Sequence, residues 1–316
     1  MAVKKAGSRS GRAPTFDEVR EEPVAEAPVA DAKGTIERTL ELIQCFGDVQ
    51  GEWSLSELSA KTELPRSTVH RLLKLMQNLG FVESDEQTRR YRPGPELYRV
   101  GAVLAARMPI IPLATPILRH IMQESDETAL LSLYYPRQLQ KAFVAQVESS
   151  RSMRYVIELN VRASLLWGAS AHAILAHLDQ ETIERALAAR DPSPVSGDRP
   201  NQKELRREIA RIRAEGYAWS VGQGVATALG LAVPVFGADG LVKGSVSVTY
   251  PESRMDDALN HKLLSLLCDG AEKLSRALGW HAESANSPYA LIKVDPEKPI
   301  MQGLKARGGA KARASH

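Results

Sequence analysis

Between residues 64 and 79 apolar side chains recur every three or four positions. Val69, Leu72, Leu73 and Met76 fall on one side of a helix, and Ser67, Arg71, Lys74 and Asn78 on the other. Pro65 suits a first helical turn, where its missing N–H is an orphan anyway, and Gly80 suits the left-handed residue that closes a helix. The same period predicts a first helix with Thr35 as N-cap, Ile36, Leu40 and Ile43 on one face, and a stop at Gly47. Ser54 and Glu57 stand three apart before Leu58, a spacing in which each side chain bonds the other's exposed backbone N–H; a short helix over 55–61 follows. Only residues 62–64 separate it from the next helix. Two short helices across a tight turn, the second longer and basic, predict a helix-turn-helix. After Gly80 the period changes to two: 81–83 and 90–92 read as strands, and the polar 84–88 link makes them a hairpin, or wing.

Pro93 and Pro95 punctuate the exit into a linker helix over 95–111, with Leu97, Val100, Gly101, Leu104 and Met108 as its apolar stripe and Pro109 and Pro112 as its stop. That stripe fits a dimer contact or packing on its own domain equally well. Beyond 112, helix 116–125 precedes β-rich segments at 130–135, 141–147 and 153–158, then helices at 166–178, 181–190 and 202–215. Strands 230–236 and 243–250 flank the turn 237–240, and a final helix over 256–278 aligns Leu259, Leu263, Leu266, Leu267, Leu274 and Leu278. The pattern predicts an α+β chain: a winged helix-turn-helix over 34–94, the linker helix, and a second domain with an antiparallel sheet over 112–280.

Composition narrows the setting. With 316 residues, 43% hydrophobic and 25% charged, the chain is long enough for about two domains. A net charge of +3 restricts any nucleic-acid surface to a local patch. Residues 1–33, basic and then acidic with Ala and Pro, bury too little to offset ordering entropy and are expected to be a disordered arm; 281–316 is expected to be a disordered tail. Cys45 and Cys268 lie far apart in apolar helical patterns, which suits burial in a reducing compartment. With no apolar signal core and no run of eighteen apolar residues, a cytoplasmic location and no membrane contact are expected.

The polar face of the 64–79 helix carries the chemistry for double-stranded DNA. Arg71, mid-face, has the fork that bonds guanine bidentately; Arg66, Ser67, Thr68 and Lys74 suit phosphate contacts, with His70 at the margin. Arg89, Arg90 and Arg92 cluster on the returning side of the wing, where they suit backbone or minor-groove contacts. An enzymatic alternative, a hydrolase using Ser170 and His172, rests on Gly168-Ala169-Ser170-Ala171-His172, but a nucleophile elbow needs glycine where His172 stands. Gly222-Gln223-Gly224 has Thr227 at the next glycine of a dinucleotide fingerprint, and neither HExxH nor a cysteine cluster occurs, so no enzyme, cofactor or metal is expected.

Over residues 34–279 the chain resembles IclR-family transcription regulators. The carriers are GTIERTLELIQCF, SLSELSAKTELPRSTVHRLLKLMQNLGFVE and YRPGPELYRVG in the first half, and ASLLWGASAHAILA, EGYAWSVGQGV and GLAVPVFGADGLVKGSVSVTYP in the second. The chain departs from the family at Ser164 and Ala171, where Pro and Gly are common, and at Gln223, where an acid is frequent. The resemblance implies a GAF-like effector-binding domain, dimers or tetramers, and control of a metabolic operon, by repression rather than activation, in response to a small organic and acidic effector; the alternative is a DNA-binding protein that does not switch. It points to a pocket between the start of the 166–178 helix and the sheet. There the backbone N–H groups of Gly168, Ala169 and Ser170 would take a carboxylate with no cationic side chain, Ser247 and Thr249 would share a sheet face toward the ligand, Ser220 and Gln223 would close the pocket, and Trp167 would stack on or shield it.

Overall fold

A computed structural model describes residues 34–47, 50–106, 109–281, 288–292 and 299–301. The expected N-terminal arm lies outside them. The first unit contains α1 (Thr35–Cys45), α2 (Leu55–Thr62), α3 (Arg66–Asn78) and the antiparallel pair β1 (Val82–Ser84) and β2 (Tyr91–Pro93). The capping box is present: Ser54 N–H donates to Glu57 Oε2 at 2.7 Å, and Glu57 N–H donates to Ser54 Oγ at 3.2 Å. Thr35 is the first helical residue rather than the cap; Gly34 caps α1, its N–H held by the Glu37 carboxylate at 3.0 Å. Pro65 caps α3 and Gly80 follows it with φ +73°. Leu42, Leu58, Val69, Leu72, Leu73, Met76 and Val82 form the core that fixes α3 against α2 and the hairpin. The wing strands sit one residue later than their alternation suggested, and Trp53 bridges to Tyr91 beside them. Gly94 lets the chain turn close under Gly80: a Cβ there would stand 2.3 Å from the Gly80 carbonyl oxygen.

The linker helix α4 is described over Pro95–Ala106, and α5 (Ile110–Ser125) starts directly after Pro109, the first expected stop, but runs through Pro112, the second. Pro112 falls in the first turn, where no N–H is needed. The ladder bond missing at Pro116 is offset by burying Ala114, Leu118 and Ile121 completely.

The second unit is a six-stranded sheet made of β3 (Thr128–Tyr135), β4 (Gln140–Val147), β5 (Arg162–Ser164), β6 (Ala218–Val221), β7 (Ala228–Phe236) and β8 (Val242–Pro251). Its order is β5-β4-β3-β8-β7-β6, every neighbour antiparallel. The remaining helices are α6 (Ala169–Leu175), α7 (Gln180–Ala189), α8 (Gln202–Glu215) and α9 (Asp257–Ala277). Strand alternation assigns the two faces. Tyr250 donates to Asn260 of α9, so Val246, Val248 and Tyr250 face α9, whereas Ser245 Oγ donates to Ser170 O of α6 at 3.1 Å. Ser247 and Thr249, in step with Ser245, therefore face the α6 side.

Residues 153–158 are not a strand. Met153 and Val156 are exposed, Ile157 N–H goes to the Gln146 side chain at 3.1 Å, and the Tyr155 hydroxyl lies 2.9 Å from Thr227 Oγ1. The segment arches over the α6 side, and the edge is filled by β5 instead. β6 went unpredicted because its four residues are short and embedded in a Gly-flanked loop. The expected disordered tail returns in part to the core: Tyr289 is buried and its hydroxyl donates to Pro234 O at 2.9 Å. An aromatic phenol with an available carbonyl outweighs the polar sequence around it.

At Gly244 an added Cβ would lie 1.9 Å from Ser132 O, at the pairing of β3 with β8. Gly244→Ala is expected to destabilise the second unit by about 3 kcal/mol, in the class of overpacking in a rigid core, read as a loss of unfolding midpoint in urea.

Candidate nucleic-acid and effector sites

The polar face of α3 is free. Arg66, Ser67, His70, Arg71 and Lys74 are exposed and Thr68 is half-buried, while Val69, Leu72, Leu73 and Met76 on the reverse are buried. Among the described residues no ion pair engages Arg66, Arg71 or Lys74. The wing arginines divide. Arg89, at φ +53°, has no carboxylate partner among the described residues, whereas Arg92 is paired with Glu83 at 3.1 Å across the hairpin. Arg90 donates to Glu57 Oε2 and to Glu52 O, both at 3.0 Å, and so anchors the hairpin to the start of α2. The Ser54 backbone N–H, with Arg90 beside it, holds the Glu57 carboxyl below its ordinary range. Asp85 shapes the tip by accepting from the N–H groups of Gln87 and Thr88 at 2.8 and 2.7 Å.

Exposed apolar side chains complete this unit: Ile36 and Leu40 on α1, Tyr98, Val103 and Leu104 on α4. Sequence periodicity placed the stripe of α4, but only the structure shows its outer half uncovered.

In the second unit the expected pocket residues come together around the start of α6, with one change of role. Gly168 N–H donates to Gln223 Oε1 at 3.1 Å, and Ala169 N–H donates to Ser220 Oγ at 2.9 Å. The first two amides expected to meet a carboxylate are thus satisfied by the chain's own side chains. Gly230 permits this: a Cβ on it would meet Ser220 Oγ at 3.2 Å and the Ala169 Cβ at 3.3 Å. Trp167 turns its indole N–H away to Asp191 O at 2.9 Å. Ser245 Oγ lies 2.8 Å from Ser132 Oγ, and Ser247 Oγ is buried without a hydrogen-bond partner among the described residues. Thr249 is half-buried on the same face.

His172 Nε2 is 3.0 Å from Leu166 O, and since a carbonyl only accepts, that nitrogen carries the proton. Its Nδ1 is a buried acceptor with no partner, and burial disfavours the imidazolium. One basic residue escaped the sequence reading altogether. Lys141 on β4 is 4% exposed, and burial lowers its ammonium pKa to about 7. Its only signal in the sequence was a charge at a position that strand alternation assigns to a covered face.

Residues 102–276 match the family model for the bacterial transcriptional regulator IclR C-terminal domain, and residues 35–86 match the IclR helix-turn-helix domain. The chain belongs to the IclR family. It is 24% identical over 261 residues to the transcriptional repressor IclR of Escherichia coli, spanning 82% of this chain and 95% of that protein. Among solved structures, an IclR transcriptional regulator from Silicibacter sp. TM1040 superposes with a TM-score of 0.73 at 30% identity, covering 79% of this chain and 98% of the other. An IclR homologue from Microbacterium hydrocarbonoxydans, complexed with 4-hydroxybenzoate, shares the fold with a TM-score of 0.63 at 22% identity, covering 77% of this chain and all of that one.

This IclR-family chain is a DNA-binding transcriptional regulator and not an enzyme. The geometry agrees with that. Ser170 and His172 stand two apart on α6, where side chains point away from each other, and His172 Nε2 is spent on Leu166 O. No described helix is long and apolar enough to cross a membrane, and no group of three or more potential ligands gathers for a metal among the described residues.

Proposed function

We propose that the chain acts in the cytoplasm as a homodimer or tetramer that binds double-stranded operator DNA and represses a metabolic operon until a small organic acid enters the α6 side of the second unit. The observation that carries this reading is the row of unpaired Arg66, Arg71 and Lys74 on the exposed face of α3. Arg71 reads a base edge; Arg66, Ser67, Thr68, His70 and Lys74 position the helix on phosphates; Arg89 reaches the adjacent backbone. Arg92 contributes through its free donors, while Arg90 serves the fold first because Glu57 already claims its fork.

Uncovered apolar side chains on α1 and α4 support a second copy, and a two-fold dimer imposes a pseudo-palindrome on its site. A footprint of the purified protein on the DNA upstream of its own gene tests this. Protection of two related half-sites about 10 base pairs apart is expected. Uniform binding with no preferred sequence would refute operator recognition, and a monomer in sedimentation would refute the two-fold arrangement.

A further inference from the structure

The sheet face beneath α6 holds an uncompensated cation. Ser132 and Ser245 define that face, since their hydroxyls meet at 2.8 Å and Ser245 reaches Ser170 O of α6. Phe143 is the cross-strand partner of Ser132, and Lys141 that of Tyr134, two residues along each strand. Cross-strand partners and residues two apart share a face, so Lys141, Phe143, Tyr134, Ser132, Ser245 and Ser247 line one surface. The Lys141 ammonium stands 3.5 Å above the Phe143 ring. Among the described residues no hydrogen bond or ion pair holds it, and burial is the sole influence on its titration.

Isolated buried charges are costly, and natural proteins pair them or neutralise them. A ring face alone recovers only a small part of that cost. Two more groups on this side are buried and unsatisfied, Ser247 Oγ and His172 Nδ1. Buried polar groups left without partners beneath one helix mark a place suited to a polar ligand.

We propose that Lys141 is the counter-charge of the effector, which is an organic anion whose carboxylate pairs with this ammonium while a second polar group meets Ser247. This rests on the reading of the α6 side as the effector pocket. It replaces the expectation of an anion held by backbone amides alone, because the Gly168 and Ala169 amides are occupied by Gln223 and Ser220.

The assignment has a signature in protons. At pH 8 free Lys141 is mostly neutral; burial also favours the neutral forms of its cross-strand partner Tyr134 and of His172, which feels Lys141 together with Glu208 and Arg211 of α8. Pairing with a carboxylate restores the ammonium, so binding takes up close to one proton from the buffer.

The test uses the full chain with acetate, benzoate and 4-hydroxybenzoate, each against its carboxamide, by thermal shift and by titration calorimetry at pH 8 in buffers of different ionisation heat. At least one acid is expected to raise the unfolding midpoint of the wild type where its amide does not, with proton uptake near one. Lys141→Met is expected to weaken that acid at least tenfold and abolish the uptake; Lys141→Gln serves if the Met variant does not fold. An acid that binds wild type and variant alike, with no uptake, overturns the role of Lys141. If Ser247→Ala then weakens that acid, the pocket itself stands. Failure of every acid and amide to bind overturns both.

Discussion

Arg71→Ala is expected to weaken operator binding by about 1–3 kcal/mol, roughly fivefold to 150-fold, and to relax the preference at one base pair of each half-site. The reason is positional. Arg71 projects from the middle of an exposed helix face whose opposite side, Val69, Leu72, Leu73 and Met76, is locked into the core, so the guanidinium is presented from a rigid base. Lys74→Ala should behave differently. It removes a phosphate contact, so affinity falls for every sequence alike and the slope of log K against log salt drops by about one. Anisotropy titrations on operator and mutated operators at several salt concentrations separate the two. Equal loss on all sequences for Arg71→Ala would sink its assignment as a base reader. Arg90→Ala supplies a contrast: its effect should appear in thermal stability, because its Nη2 joins the Glu52 carbonyl to the Glu57 carboxylate within the protein.

Lys141→Met is expected to stabilise the unliganded protein, and by an amount that depends on pH. The folded state gives up the Lys141 proton near pH 7, while the unfolded chain keeps it until about 10.4. Between those values the unfolded state binds one more proton, so the wild type gains stability as pH rises, by up to about 1.4 kcal/mol per unit. Below pH 7 both states are protonated and the penalty is fully present. The advantage of the Met variant is therefore greatest at or below pH 7 and shrinks toward pH 10. The difference between the proteins is the informative quantity. Burial raises Cys268 to about 11 and Tyr217 to about 12, which makes both proteins lose stability as those groups ionise in the unfolded chain. Urea unfolding at pH 6, 7, 8 and 9 measures it; a pH-independent difference would mean that Lys141 stays charged in the fold.

Short-range order was readable in the residues wherever local chemistry sufficed. Ser54 with Glu57, the 3.6-residue period of α3, and Gly80 at positive φ all act within a turn or two, and each stands where the pattern put it. Prolines misled because their cost is local but their compensation is not: α5 carries Pro116 on the strength of side chains buried against α9 and the sheet. At 153–158 alternation mimicked a strand, yet the segment bonds to side chains instead of a strand: Ile157 N–H goes to Gln146 and Tyr155 O accepts from Thr128.

The sites divide in the same way. The exposed basic face of α3, which we propose meets DNA, follows from sequence alone, because a helix periodicity that buries one side exposes the other, whatever the second domain does. The effector side does not. Ser220, Gln223 and the start of α6 are distant in sequence, and only the approach of β7 to α6 at Gly230 shows that those side chains fill the amides a ligand was expected to meet. Lys141 is the sharpest case. In the chain it is one cation among many, with an ordinary pKa; its meaning comes from desolvation, which depends on what every other segment packs above it. Periodicity determines which side of an element is buried, but whether a buried charge finds a partner is decided only when the strands and helices close around it.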